Sequence, residues 1–154
     1  MSTRGRSAKP AMRPFARSLP MQLLRAREAL MQEFRPHLRE HGLSEQQWRV
    51  LRALAEAGSM EIHALGAMCG IHPASLSRML PMLESEKRIE RRPGKTDQRS
   101  STISITPKGR ALFERMARES EEIYAAIERR IGARELAQLY ELLDRTIRAA
   151  PGEG

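Results

Sequence analysis

The 154-residue chain has a single cysteine, Cys69, so no internal disulfide can brace it and the fold must rest on packing. A lone thiol also fits a reducing compartment. Aromatic residues are scarce, at 4% of the sequence, and Leu, Ala, Met and Ile dominate the apolar set, which favours helices packed on helices over a sheet-rich core. No apolar run approaches the ~20 residues that cross a bilayer. The first residues lack the apolar stretch of a secretory signal. A cytoplasmic protein is the expectation. No nucleophile–base motif, phosphate loop or paired-carboxylate site occurs, so neither an enzyme nor a cofactor is expected.

Acids are missing altogether from residues 1–20, which hold Arg4, Arg6, Lys9, Arg13 and Arg17 and so supply +5 of a net charge of +8. Pro10, Pro14 and Pro20 interrupt the same stretch, and no apolar period runs through it. Residues 1–18 are expected to form a flexible basic arm, or simply an unstructured leader, ahead of one domain over 19–150. The charge suits a polyanionic partner, but the body carries only +3, so a binding surface there has to come from a local cluster.

Helical spacing is plain through the body. Leu23, Leu24, Leu30, Met31, Phe34 and Leu38 share one face of a helix expected over 19–40, although Pro36 should kink or interrupt it. Ser44 and Gln47 have the spacing of a capping box, with Leu43 and Trp48 as a hydrophobic staple, and Gly58 closes that second helix. A short third helix is expected over 61–69, with Ile62, Leu65 and Cys69 inward. His72-Pro73 opens a fourth, whose inner face is Leu76, Leu80 and Leu83. Two short helices around a Gly70-Ile71-His72 turn satisfy the helix-turn-helix pattern. Residues 88–92 and 100–105 read as the strands of a hairpin with a charged, turn-rich tip. Thr106-Pro107 then starts a long helix to 131, and a last helix spans 134–149. The fold class is therefore mainly α with a small β-hairpin wing: a winged helix-turn-helix over about 44–106 and outer helices over about 19–41 and 107–149.

This order gives the basic residues addresses. The outward positions at the start of the fourth helix are Pro73, Ala74, Ser75, Ser77 and Arg78, small or hydroxylated with one arginine and no acid. Small side chains let a helix enter the major groove closely, and Ser and Arg bond base edges or phosphates. A solvated helix face would look similar taken alone. The hairpin at 87–99 adds Lys87, Arg88, Arg91, Arg92, Lys95 and Arg99 against Glu90 and Asp97, a local excess of +4. An arginine at such a tip can reach a narrow minor groove. Asp97, two residues before Arg99, is placed to orient it. Adjacent in one chain, the two features point to duplex DNA.

At these residues the sequence resembles the MarR family of winged-helix regulators. The resemblance rests on 73–80, on the Asp97-Gln98-Arg99 wing, and on Ile105-Thr106-Pro107-Lys108-Gly109, where Ile105 replaces the usual Leu. Segments 26–29, 34–36 and 45–49 are similar to the branch that controls homoprotocatechuate and related phenolic-acid degradation. The likeness covers roughly 20–148. Pro81 departs from the pattern inside the recognition helix and is expected to bend its second half. The resemblance implies a homodimer, a pseudo-palindromic operator, and an aromatic-acid effector held between the dimerisation helices and the winged helix.

The residues offer their own support. The first, fifth and sixth helices carry more apolar surface than one small core covers, so a second copy is expected to take up the excess. Arg27 falls between Leu23 and Leu30 and needs an anion: a carboxylate from another helix, or the carboxylate of an aromatic acid whose ring packs on Phe34 or Trp48. Arg49, Arg35 and His37 are lesser candidates. His37 and His41 stand four apart, but Pro36 between the helix body and that pair, with no third ligand in view, argues against a metal. Cys69 lies on an inward stripe, which favours packing over redox sensing. The resulting expectation is a repressor of an aromatic-acid catabolic operon, released from DNA by a small aromatic acid. The alternatives are a redox- or metal-sensing regulator on this scaffold, or an architectural DNA-binding protein without an effector.

Overall fold

The computed structural model describes residues 11–94 and 100–152. A short 3-10 turn, Phe15–Arg17, precedes helix α1, Leu19–Glu40. Then follow α2 (Glu45–Ala57), strand β1 (Ser59–Glu61), α3 (Ile62–Cys69), α4 (Pro73–Ser85), β2 (Ile89–Arg92), β3 (Thr102–Ile105), α5 (Pro107–Ile131) and α6 (Ala133–Ala149). The wing is a three-stranded antiparallel sheet in the order β1-β3-β2, with Ser59 opposite Ser104 and Arg91 opposite Ile103. Among the described residues no helix is long and apolar enough to cross a membrane.

Local chemistry explains the boundaries. Ser44 Oγ accepts from the Gln47 amide at 3.1 Å, and Gln47 Oε1 accepts from the Ser44 amide at 2.9 Å, which completes the capping box. The staple residues Leu43 and Trp48 are both buried. His72 caps α4 through Nδ1, which accepts from the Ala74 amide at 3.3 Å. Glu61 was expected inside the third helix; it ends β1 instead, and its carboxylate caps α3 by accepting from the His63 and Ala64 amides.

Two prolines do less damage than their rings suggest. Helix α1 runs through Pro36 without the interruption that was one of its two expected effects, and α4 continues through Pro81 to Ser85. Each proline deletes one backbone bond, but buried residues on both sides keep the helix continuous: Phe34, His37 and Leu38 around the first, Leu80 and Leu83 around the second. Similarly, Phe15–Arg17 adds a helical turn to the stretch expected to be an open arm, closed by the Arg17 amide on the Pro14 carbonyl at 2.8 Å.

The core lies inside the winged helix-turn-helix: Leu51, Leu54, Leu65, Leu80, Leu83, Ile89 and Ile103 are all but inaccessible, joined by Leu38 of α1 and Met116 of α5. The outer helices differ sharply. Helix α6 buries no residue, leaving Leu139, Tyr140, Leu142 and Ile147 exposed, and α1 exposes Leu19, Leu23 and Leu24. Among the described residues, nothing covers that apolar surface.

One close approach ties the wing to the long helix. Thr106 donates its backbone N–H to the Arg88 carbonyl at 3.1 Å and its hydroxyl to the Lys87 carbonyl at 2.6 Å. The same hydroxyl accepts from the Gly109 amide at 3.0 Å and so caps α5. A side chain at Gly109 would collide with the Arg88 carbonyl, so only glycine lets α5 start this close to β2.

Candidate nucleic-acid interface

Pro73, Ala74, Ser77 and Arg78 are exposed on the first turns of α4, and Ser75 is half-buried. Leu76 and Leu80 point inward from the same turns and fix the rotation of the helix, so the small residues face out. Arg78 Nε lies 3.4 Å from the Ala74 carbonyl and has no ion-pair partner among the described residues, which leaves its charge available.

Arg91 stands on β2, exposed, with Nε donating to Ser101 Oγ at 3.2 Å. Pro73, Ser77 and Arg91 line one groove of about 800 Å³ between the start of α4 and the wing. The helix and the basic strand therefore open to the same side. His63 and His72 border this groove as well; sequence marked His72 only as a helix start and neither as a binding residue, because an isolated histidine gives no such signal until the turn brings it round. Gln46, from the first turn of α2, joins Ser75 and Arg78 along a second, shallower hollow. Lys95, Asp97 and Arg99, the expected tip residues, lie outside the described residues.

The expected effector residues are dispersed differently. Arg27 is not stranded on an apolar face. Its side chain is half-exposed and bonds Glu45 at 2.6 Å and Glu28 at 3.1 Å. Arg35 bridges the same two acids, each at 2.7 Å. Two guanidinium groups and two carboxylates thus close a neutral cluster between α1 and the first turn of α2. Hydrogen bonding from Arg27, aided by Arg35 and opposed by partial burial, holds the Glu45 carboxyl below its usual range. Arg49 donates to the Cys69 carbonyl at 2.6 Å and so serves the C-terminus of α3. His37 is buried, with Nε2 3.2 Å from the Met116 carbonyl, which turns that nitrogen away from an aromatic acid at Phe34 or Trp48.

Phe34 and Trp48 are buried and each meets an aromatic side chain of α5: Phe34 with Tyr124, centroids 4.8 Å apart, and Trp48 with Phe113 at 5.6 Å. Arg52, one turn beyond Trp48, donates to the Tyr124 hydroxyl at 2.8 Å, and no carboxylate pairs with it. Among the described residues, neither Arg49 nor Arg52 has a carboxylate partner, and of the two Arg52 is the one that reaches the Phe34–Tyr124 pair. Sequence alone did not distinguish it, because its partner lies 72 residues away.

Comparison with known proteins places these features in a family. The model of the MarR family matches residues 43–101. The homoprotocatechuate degradative operon repressor of Escherichia coli is 42% identical over 130 residues, 84% of this chain and 88% of that protein. A transcriptional regulator of solved structure superposes with a TM-score of 0.82 at 41% identity, covering 87% of this chain and 98% of the other. The regulator NadR, solved in complex with 4-hydroxyphenylacetate, superposes at 0.78 with 33% identity, covering 91% of this chain and 99% of its own.

Proposed function

This chain belongs to the MarR family, and from that premise we propose that it is a ligand-responsive repressor of an operon for aromatic-acid breakdown. The observation that carries the DNA-binding part is the shared groove. Helix α4 presents Pro73, Ala74, Ser75, Ser77 and Arg78 to a major groove, while Arg91 on β2 reaches the flanking backbone from the same side.

The working unit is a homodimer. The exposed apolar faces of α1 and α6 cover each other across a two-fold axis, at ~25 cal/mol for each Å² removed from water. Two α4 helices about one DNA turn apart, ~34 Å, then read a pseudo-palindrome.

The effector is a small hydroxylated aromatic acid. Its ring packs beside Phe34 and Trp48, the aromatic groups shared between α1, α2 and α5. Its carboxylate pairs with Arg52, because Arg27 and Arg35 are already neutralised by Glu28 and Glu45. An effector that binds the DNA-free state ~100-fold better shifts the balance by about 2.7 kcal/mol, enough to lift repression. The identity to an operon repressor and the aromatic acid held by NadR support this choice.

Calorimetric titration of the protein with 4-hydroxyphenylacetate and 3,4-dihydroxyphenylacetate tests the effector half. Saturable binding is expected, weakened about 10- to 100-fold in Arg52→Met, the loss of one charged hydrogen bond from a ligand. No binding at millimolar acid, together with operator affinity that ignores it, contradicts the effector assignment and leaves an effector-free DNA-binding protein.

A further inference from the structure

Two histidines at the end of α1 and one carboxylate on α5 converge on a point that DNA recognition does not use. The ligand-capable atoms of His37, His41 and Glu119 all lie within 4.8 Å of one another. The unbroken path of α1 through Pro36 keeps the histidine pair one turn apart on one side, their rings 5.1 Å apart and nearly perpendicular. The third group comes from a helix 78 to 82 residues further on, which is why the sequence pattern concealed it.

The histidine chemistry is specific. His37 is 5% exposed. Nε2 lies 3.2 Å from the Met116 carbonyl, which can only accept, and 3.3 Å from the Ser120 hydroxyl, which can accept as well, so a proton on Nε2 suits both neighbours. In that tautomer Nδ1 carries the lone pair; it stands 2.7 Å from Glu119 Oε2 but outside hydrogen-bonding geometry, and it has no other partner among the described residues. His41 Nε2 is likewise buried without a partner. A lone pair pressed against a carboxylate oxygen, beside a second orphaned imidazole nitrogen, is a poor arrangement for a dry interior and a good one for a cation. An imidazole whose far N–H is held by a backbone carbonyl is also how protein metal ligands are oriented.

We propose that His37 Nδ1, His41 Nε2 and Glu119 form a binding site for a divalent transition metal, with Zn²⁺ the best match to two imidazoles and one carboxylate. Ligand atoms around a tetrahedral zinc stand about 3.3 Å apart, given bonds of ~2.0–2.2 Å. Small side-chain rotations bring the site to that spacing, the 2.7 Å pair opening and the wider pairs closing, and Glu119, half-exposed, has room for them. A solvent-open groove lined by Glu33, Glu119 and Glu122 adjoins the carboxylate. It supplies a path for entry, a field attractive to cations, and water for the fourth position. The bound ion clamps the end of α1 to the middle of α5, and so joins an outer helix to the helix that begins at the wing.

The test uses full-length, untagged protein stripped with chelator and titrated with Zn²⁺ alone, with Mg²⁺ as a control. One equivalent per chain is expected at micromolar or tighter affinity, and Co²⁺ in its place should give the visible absorption of a four-coordinate centre. His41→Gln and Glu119→Gln remove ligands without emptying the core position of His37, and each should weaken Zn²⁺ binding at least tenfold while the circular dichroism is unchanged. Titration without saturable binding overturns the proposal. So does binding of undiminished affinity in both variants, which would place the ion elsewhere, for instance at His63 and His72. The readout is independent of the effector: loss of zinc binding with intact 4-hydroxyphenylacetate binding separates the two sites.

Discussion

Replacing Gly109 with alanine should loosen the wing from the long helix, and the size of the effect follows from the contacts. The added Cβ would sit 3.0 Å from the Arg88 carbonyl carbon and 3.1 Å from Ile105 Cγ1, and closer still to the carbonyl oxygen. Relaxed carbon–carbon contacts lie at about 3.5–4.0 Å, so β2 and the start of α5 must separate by several tenths of an ångström or more. Overpacking of this kind costs about 1–3 kcal/mol. Separation also stretches the Thr106 hydrogen bonds to the Lys87 and Arg88 carbonyls, and losing one adds about 1 kcal/mol. A total near 3 kcal/mol lowers the melting temperature of a domain this size by roughly 6–12 °C. Scanning calorimetry of Gly109→Ala and wild type at one protein concentration measures it, and operator affinity should fall in parallel because the wing is displaced. A melting temperature within about 2 °C of wild type would refute the close approach and the anchoring role drawn from it.

Other outcomes follow from the same contacts. Arg91→Ala should weaken operator binding by about 1–3 kcal/mol without lowering the melting temperature, and should reduce the salt slope of binding by about 1, as read by fluorescence anisotropy across a salt series. The Glu45 carboxyl is held below its unfolded value of 4.5, so it stabilises the fold above that value and the contribution fades as pH falls through the depressed one. Glu45→Gln should therefore melt below wild type at neutral pH, and the gap should close as thermal melts move into acid. Burial pushes the Cys69 thiol above its usual range, only partly offset by Arg49, so it stays protonated and shielded. Alkylation should be slow in the native protein and fast in denaturant; rapid native labelling would revive the redox-sensing alternative.

Much of this was legible in the sequence where the signal is local. The capping box at Ser44, the His72-Pro73 start of α4 and the Thr106-Pro107 start of α5 each lie within four residues, and the helices begin where those signals put them. Strand β1 was not legible: three residues are too few to show alternation, and Ser59–Glu61 is a strand because β3 pairs with it. The possible break at Pro36 was overstated, because a rule about one missing bond ignores the packing of Leu38 beyond it. At the effector cluster, sequence shows that Arg27 needs an anion, but only the fold shows that Glu45 supplies it and that Arg52 is left over. The same limit hid Glu119 from the histidine pair. Partners brought together by tertiary structure leave no spacing to read.

The central claim is that α4 and the basic strand grip one duplex from the same side. A DNA-cleaving iron chelate tethered at position 77 or 91, through Ser77→Cys or Arg91→Cys in a Cys69→Ser background, tests it on operator DNA. The account predicts that the position-77 probe cuts within the major groove at two places about one turn apart, ~34 Å, for a dimer, and that the position-91 probe cuts beside each of them. Diffuse cutting from both probes, or cutting from neither at concentrations where the operator is saturated, would contradict it.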